Sequence, residues 1–243
     1  MLRKWYLPGV IAMIAVVLLL QAAPAMALEN HNPPQVLPPN SHPYGKSYGE
    51  WNALWWQWFF SVPALKNPGL ATNGMVDCKV GQSGKVWFLT GNFLSSGTFT
   101  RNCNIPEGKA LFIPLVNSWA DNVCNATPLT VDQLRDQAAS YVTPVSNLHA
   151  SVDGKSFTGL SNYRSKSPVF SYTLPPSPDN VIDAAFNVKL PGDCWPSLTV
   201  KPAVADGYYI MLAPLCKGVH TINFGGTGPN ISLNVTYTIK VVD

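Results

Sequence analysis

Between Ser47 and Pro63 the chain carries Trp51, Trp55, Trp56, Trp58, Phe59 and Phe60, and any fold it adopts has to hide them. Each buried Trp contributes about 3–5 kcal/mol relative to Ala, so a stretch this aromatic belongs in a core or against a partner. Trp51, Leu54, Trp55, Trp58 and Phe59 recur at i, i+3, i+4, i+7 and i+8, the spacing of one helix face, and Trp56 and Phe60 widen that face. Ser47 and Glu50 have capping-box form at the start, and Pro63 gives the stop. Asn52, Gln57 and Ser61 are left to face water. The segment is therefore expected to be a short helix that plugs one end of a core; the alternative is a docking surface for a partner or a membrane interface.

The rest of the chain alternates in the period of β-strands. Ile231, Leu233, Val235, Tyr237, Ile239 and Val241 share one face and Ser232, Asn234, Thr236, Thr238 and Lys240 the other, as in a long half-exposed strand. Leu148-His149-Ala150-Ser151-Val152 alternates too, with Leu148, Ala150 and Val152 inward, and Asp153-Gly154 supplies a type I′ turn into Lys155. Lys109 to Val116 is apolar on both faces, which predicts a central strand with Pro114 at its end or at a bulge. Lys85 to Thr90, with Thr98 to Arg101 as its partner, Phe170 to Leu174, Ala184 to Leu190, Tyr208 to Ala213 and Val219 to Phe224 complete the strand candidates. Thr130 and Gln133 form a second capping box opening a helix over Val131 to Tyr141, with Leu134, Ala138 and Tyr141 on its apolar face. Short strands separated by Gly and Pro turns, with two short helices and no β-α-β rhythm, predict a mainly β fold. The architecture expected is an antiparallel β-sandwich, with an immunoglobulin-like arrangement toward the C-terminus as one form of it.

The N-terminal end has the layout of a secretory signal peptide. Arg3-Lys4 precede an apolar run from Val10 to Leu20, and Ala25-Met26-Ala27 is a small-x-small cleavage site. Residues 1–27 are expected to be removed; an uncleaved N-terminal anchor is the alternative. Residues 28–46 hold Pro33, Pro34, Pro38, Pro39 and Pro43 and read as an extended leader, and 47–243 as one domain. The net charge of +3 includes Arg3 and Lys4, and there is no basic run, so nucleic acid is not an expected partner. No later segment has the length and hydropathy of a membrane span.

An exported chain forms disulfides, and five cysteines stand here without a C-x-x-C pair. Cys78 and Cys103 flank the strand candidate Lys85 to Thr90 and a return segment Gly97 to Arg101, so they are expected to bridge. Cys124, Cys194 and Cys216 compete for the second bridge. Cys124 with Cys194 is the pairing preferred, although spacing leaves the three open.

No G-x-S-x-G elbow, H-E-x-x-H helix, phosphate loop or Rossmann glycine pattern occurs, and neither a metal nor a cofactor is expected. A histidine-based hydrolase would have to use His149, which reads as a surface residue, or His220, which shares a face with Ile222 and Phe224 and reads as a sheet-end histidine bonded to backbone. Glycoside hydrolysis needs two facing carboxylates, for which Glu50, Asp77, Glu107 and Asp121 are candidates. Asn117, Trp119, Asp121 and Asn122 make the best ligand-binding segment. They follow a buried strand and set an indole among amides and a carboxylate, the mixture that stacks on and hydrogen-bonds a sugar or another small polar molecule. The competing reading is a turn whose Asn and Asp side chains bond their own backbone.

Tyr48-Gly49-Glu50-Trp51 with Trp55-Trp56-Gln57-Trp58, Gly81-Gln82-Ser83-Gly84-Lys85-Val86-Trp87-Phe88-Leu89, Pro106-Glu107-Gly108-Lys109-Ala110-Leu111-Phe112 and Gly218-Val219-His220-Thr221-Ile222-Asn223-Phe224-Gly225-Gly226 resemble a group of uncharacterised exported bacterial proteins. The resemblance covers most of the chain after residue 27. It implies export to the periplasm or medium and a single domain, and it carries no activity or catalytic residue. Together these readings describe an exported binding or surface-structural module for a polar ligand or glycan. The alternatives are an exported glycoside or ester hydrolase with scattered catalytic residues, and a partner protein in an envelope assembly.

Overall fold

The computed structural model describes residues 33–93 and 95–243; the segment 1–27 read above as a signal peptide, with its expected cleavage site, lies outside the described residues. The strands are β1 (Gly74–Met75), β2 (Val86–Phe88), β3 (Gly97–Pro106), β4 (Ala110–Asp121), β5 (Ser146–Val152), β6 (Lys155–Ser156), β7 (Arg164–Lys166), β8 (Phe170–Thr173), β9 (Thr199–Leu212), β10 (Gly218–Thr227) and β11 (Ser232–Val242). The helices are α1 (Tyr48–Ser61), α2 (Val131–Val142) and α3 (Val181–Phe186). Six strands form one sheet in the order β1-β3-β11-β10-β5-β6. Five form the other, β2-β4-β9-β7 with β8 on β9.

The two sheets make the β-sandwich. Leu111 and Ile113 of β4 and Tyr208, Ile210 and Leu212 of β9 meet Ile222, Phe224, Val235, Tyr237 and Ile239 of the other sheet. Most pairings are antiparallel, but β1–β3, β3–β11 and β2–β4 are parallel. The six-stranded sheet joins early and late parts of the chain, since β3 pairs with β11 along Leu233↔Gly97 to Val242↔Pro106. Thr98 to Arg101 therefore does not partner Lys85 to Thr90. The two segments enter opposite sheets, because β11 offers β3 a longer alternating face.

The alternate residues of β4 and β9, Ala110, Phe112, Ala205, Tyr209 and Met211, point away from the sandwich and are covered by α1. The aromatic helix is thus a third layer across the outer face of the five-stranded sheet and does not plug an end. Its capping box is formed, Glu50 Nα–H donating to Ser47 Oγ while Ser47 Nα–H donates to Glu50 Oε2. Gly49 lets the helix seat on β7, where a Cβ would run into the Lys166 carbonyl. Asn52 does not face water. It is fully buried, donating to the Ser165 carbonyl at 3.0 Å and accepting the Tyr209 hydroxyl at 2.8 Å, because β7 covers that side of the helix too.

Two further expectations are corrected. The segment Ala184 to Leu190 is not a strand: Asn180 caps α3 by accepting the Asp183 N–H, and Asp183 then accepts the Leu190 N–H and folds the chain back. The leader from residue 33 onward is docked. Val36 bridges Leu212, Leu37 N–H donates to the Met211 carbonyl and Tyr48 Oη donates to the Leu37 carbonyl, so the unpaired end of β9 gains a partner.

Cys78–Cys103 ties the loop before β2 to β3, and Cys124–Cys194 ties the loop after β4 to the segment before β9. Cys216 is free. Among the described residues no helix is long and apolar enough to cross a membrane.

Candidate binding cleft

The site begins with a bulge. β4 and β9 shift register between Pro114 and Val116, which adds a residue to one strand and turns the side chains that follow onto opposite faces. Past this point Ser118 faces α2, donating its hydroxyl to the Ala138 carbonyl at 2.6 Å, and Ala120 packs with Leu134 and Ala138. Asn117, Trp119 and Asp121 consequently continue the face of Phe112, beside α1. Trp119 lies 4.9 Å from Trp56 and 5.3 Å from Phe60, ring centre to ring centre.

Beside these rings lies a cleft of about 430 Å³. Asn117, Trp119, Asp121 and Asn125 line one wall, Gln137 and Tyr141 of α2 the second, and Phe93, Phe186 and Ile231 close the rest. Tyr141 and Phe186 stand at its mouth, 40% and 56% exposed. Inward, a cavity of about 90 Å³ reaches Trp55, Trp56 and Phe59 and shares Phe93, Asn117, Trp119 and Ile231 with the cleft.

Asp121 is held by its own chain. Its Oδ2 accepts Trp119 Nε1–H at 2.7 Å and the Tyr172 hydroxyl at 2.6 Å, and its Oδ1 accepts the Val123 N–H at 2.8 Å. Burial nevertheless raises its pKa, the three donors offsetting only part of the desolvation. Burial, followed by the charge of Asp121, pushes the Tyr172 phenol up. Because the folded carboxyl keeps its proton to higher pH than the unfolded one, protonation favours the fold. The stabilisation is complete below the unfolded value and lost as pH rises through the folded one. Asp121→Asn should therefore gain stability relative to wild type as pH rises from acid to neutral, measured as paired denaturant midpoints. A difference that is flat with pH would contradict this electrostatic assignment.

Two polar atoms of the lining residues are buried without a close hydrogen-bond partner, Asn117 Nδ2 and Gln137 Oε1, although the Asn117 side chain also acts on the Tyr209 hydroxyl, opposing the rise that burial gives the phenol's pKa. Asn122, by contrast, does not line the cleft. Its amide donates to and accepts from the Leu129 backbone and closes the loop between β4 and α2, so the turn reading describes this residue. The wall formed by Gln137, Tyr141 and Phe186 had no signal in the segment 117–122. Tyr141 looked like a core-facing helix residue, and Val142 is buried in that role.

The other candidates are dispersed. Glu50 caps α1, Asp77 Oδ1 accepts the Lys79 N–H, and Glu107 lies 3.6 Å from Lys217 Nζ. His149 is on the outer face of the six-stranded sheet, 3.3 Å from Asn234 Oδ1, and His220 is at the start of β10. Among the described residues no three His, Cys, Asp or Glu side chains are grouped to hold a metal ion. No protein-family model, curated protein or solved structure matches the chain.

Proposed function

We propose that the protein is an exported binding module of one domain, of the kind its sequence resembles, and that it holds a small polar ligand of the saccharide class in the cleft beside Trp119. The observation that carries this reading is the placing of two amide side chains, Asn117 and Gln137, beside the rings of Phe93, Trp119, Tyr141 and Phe186 in one concave site. A concave site with apolar walls and few convergent polar groups is the usual form of a small-molecule site, and a sugar offers both an apolar ring face and hydroxyls for the amides. Hydrolysis is the weaker reading. Among the described residues Asp121 is the one carboxylate lining the cleft, whereas glycoside cleavage uses two. The two disulfides suit an oxidising compartment and so support export.

Calorimetric titration with a panel of mono- and oligosaccharides tests the reading. Tyr141→Ala and Phe186→Ala alter exposed rings, so each should leave the unfolding midpoint near wild type. A ring contact is worth about 0.5–1.5 kcal/mol, so each should weaken binding roughly two- to tenfold. Saccharides that fail to bind, or variants that bind as wild type does, would sink it.

A further inference from the structure

Cys216 is the free thiol of a chain whose other four cysteines are bridged. It sits half-buried in the turn between β9 and β10, with Sγ 3.7 Å from Nε2 of His220. The His220 ring is 6% exposed, and its Nδ1 lies 2.7 Å from Asp153 Oδ2. Asp153 is positioned twice over. It begins the Asp153-Gly154 turn with both residues at positive φ, 51° and 78°, and its Oδ1 accepts the Thr221 N–H at 2.8 Å. The antiparallel register of β5 with β10, Val152 against Ile222, brings that turn beside His220.

Sulfur, imidazole and carboxylate therefore stand in line, each touching the next. This is the arrangement in which a base takes the proton of a nucleophile while a third group orients the base. A further contact gives the line its direction, since Nε2 also lies 2.9 Å from the Cys216 carbonyl oxygen. With its Nδ1–H donated to Asp153, the neutral ring turns a bare Nε2 toward that carbonyl and cannot bond it. Once the thiol proton moves to Nε2, the ring donates to Asp153 on one side and to the carbonyl on the other, with the thiolate alongside. The surrounding acceptors fit the product of the proton transfer. Lys217, the neighbouring cation, turns its amine to Glu107 and Asp243.

The geometry points to Cys216 as a covalent attachment site that reacts with small-molecule disulfides, with His220 taking the thiol proton and Asp153 orienting His220. In the step, the Cys216 thiolate attacks one sulfur of R–S–S–R. A Cys216–S–S–R bond forms, the R–S–S–R bond breaks, and the departing R–S⁻ takes the proton from His220 Nε2 to leave as R–SH. One disulfide is exchanged for another, and the only co-reactant is the incoming disulfide. The site is independent of the cleft.

The full chain, with both bridges intact, is mixed with an aromatic disulfide whose released thiol gives up its proton to water and is coloured as the thiolate. One thiol should be released per chain, and the intact mass should gain one R–S group, mapped to the Cys216 peptide. The native protein should react about tenfold or more faster than the same chain unfolded in urea at the same pH, where the thiol is fully accessible but has no base beside it. Asp153→Asn, whose amide oxygen can still accept the Thr221 N–H, should bring the native rate down to that of the unfolded chain. A native thiol that reacts no faster than the unfolded one overturns the proposal, as does a folded Asp153→Asn protein that keeps the wild-type rate.

Discussion

Replacing Trp55 by Ala should lower the free energy of unfolding by about 3–5 kcal/mol, a large part of the 5–15 kcal/mol typical of a whole domain. Trp55 is 2% exposed and central to the aromatic layer. Its ring stacks on Phe59 at 5.1 Å, meets Trp56 edge-on at 4.8 Å and reaches Tyr209 of the underlying sheet at 6.4 Å. Its Nε1–H donates to the Leu89 carbonyl at 2.8 Å, so truncation also leaves a buried acceptor without that donor. The adjoining cavity means that the space vacated would enlarge an existing void that the packed rings on either side are poorly placed to fill. Denaturant titration beside wild type provides the measurement. An unchanged midpoint would mean that α1 contributes a surface for a partner and little to the fold.

The second large effect lies between the sheets, where Arg101 is fully buried with no carboxylate among its partners in the described residues. Its Nη1 donates to the carbonyls of Thr90 and Gly91 at 2.8 and 3.0 Å and to the Tyr237 hydroxyl at 3.1 Å. Its Nη2 donates to the Ala71 carbonyl at 2.7 Å. A guanidinium gathers these oxygens because its donors spread in a fixed plane, which a lysine cannot reproduce. The side chain thereby ties β3 and the long loops before β2 and β3 into one unit. Arg101→Met keeps much of the volume but removes the strongest donors to Ala71 and Gly91. Each such loss costs about 1–3 kcal/mol, and relief of the buried charge offsets part of it. The net expectation is a destabilisation of about 2–4 kcal/mol, read by urea unfolding, with faster proteolysis in the 71–91 region. Unaltered stability and proteolysis would show that Thr90 Oγ1, Asn92 Nδ2 and Tyr237 Oη, which already donate to Gly91, Ala71 and Thr90 respectively, suffice without the cation.

What the sequence determined by itself is local. Both capping boxes, the Asp153-Gly154 turn, the alternation of β11 and the inward set Leu148, Ala150 and Val152 were legible, because each depends on groups within a few residues of one another. The β-sandwich followed from the density of such strands, and the two bridges matched the preferred pairing. Asn117, Trp119 and Asp121 could be picked out as a mixed aromatic and polar group, but only the bulge at Pro114 turns their shared face toward α1, and only the packing of α2 and α3 supplies the facing wall. The parallel pairing of β3 with β11, the burial of Asn52 and Arg101 and the meeting of Cys216, His220 and Asp153 were decided by tertiary structure alone. A hydrogen-bond partner more than a hundred residues away leaves no period in the sequence, and a one-residue bulge reverses every side chain beyond it. Local pattern therefore specifies which residues form strands and helices, while the packing of distant strands decides which faces meet.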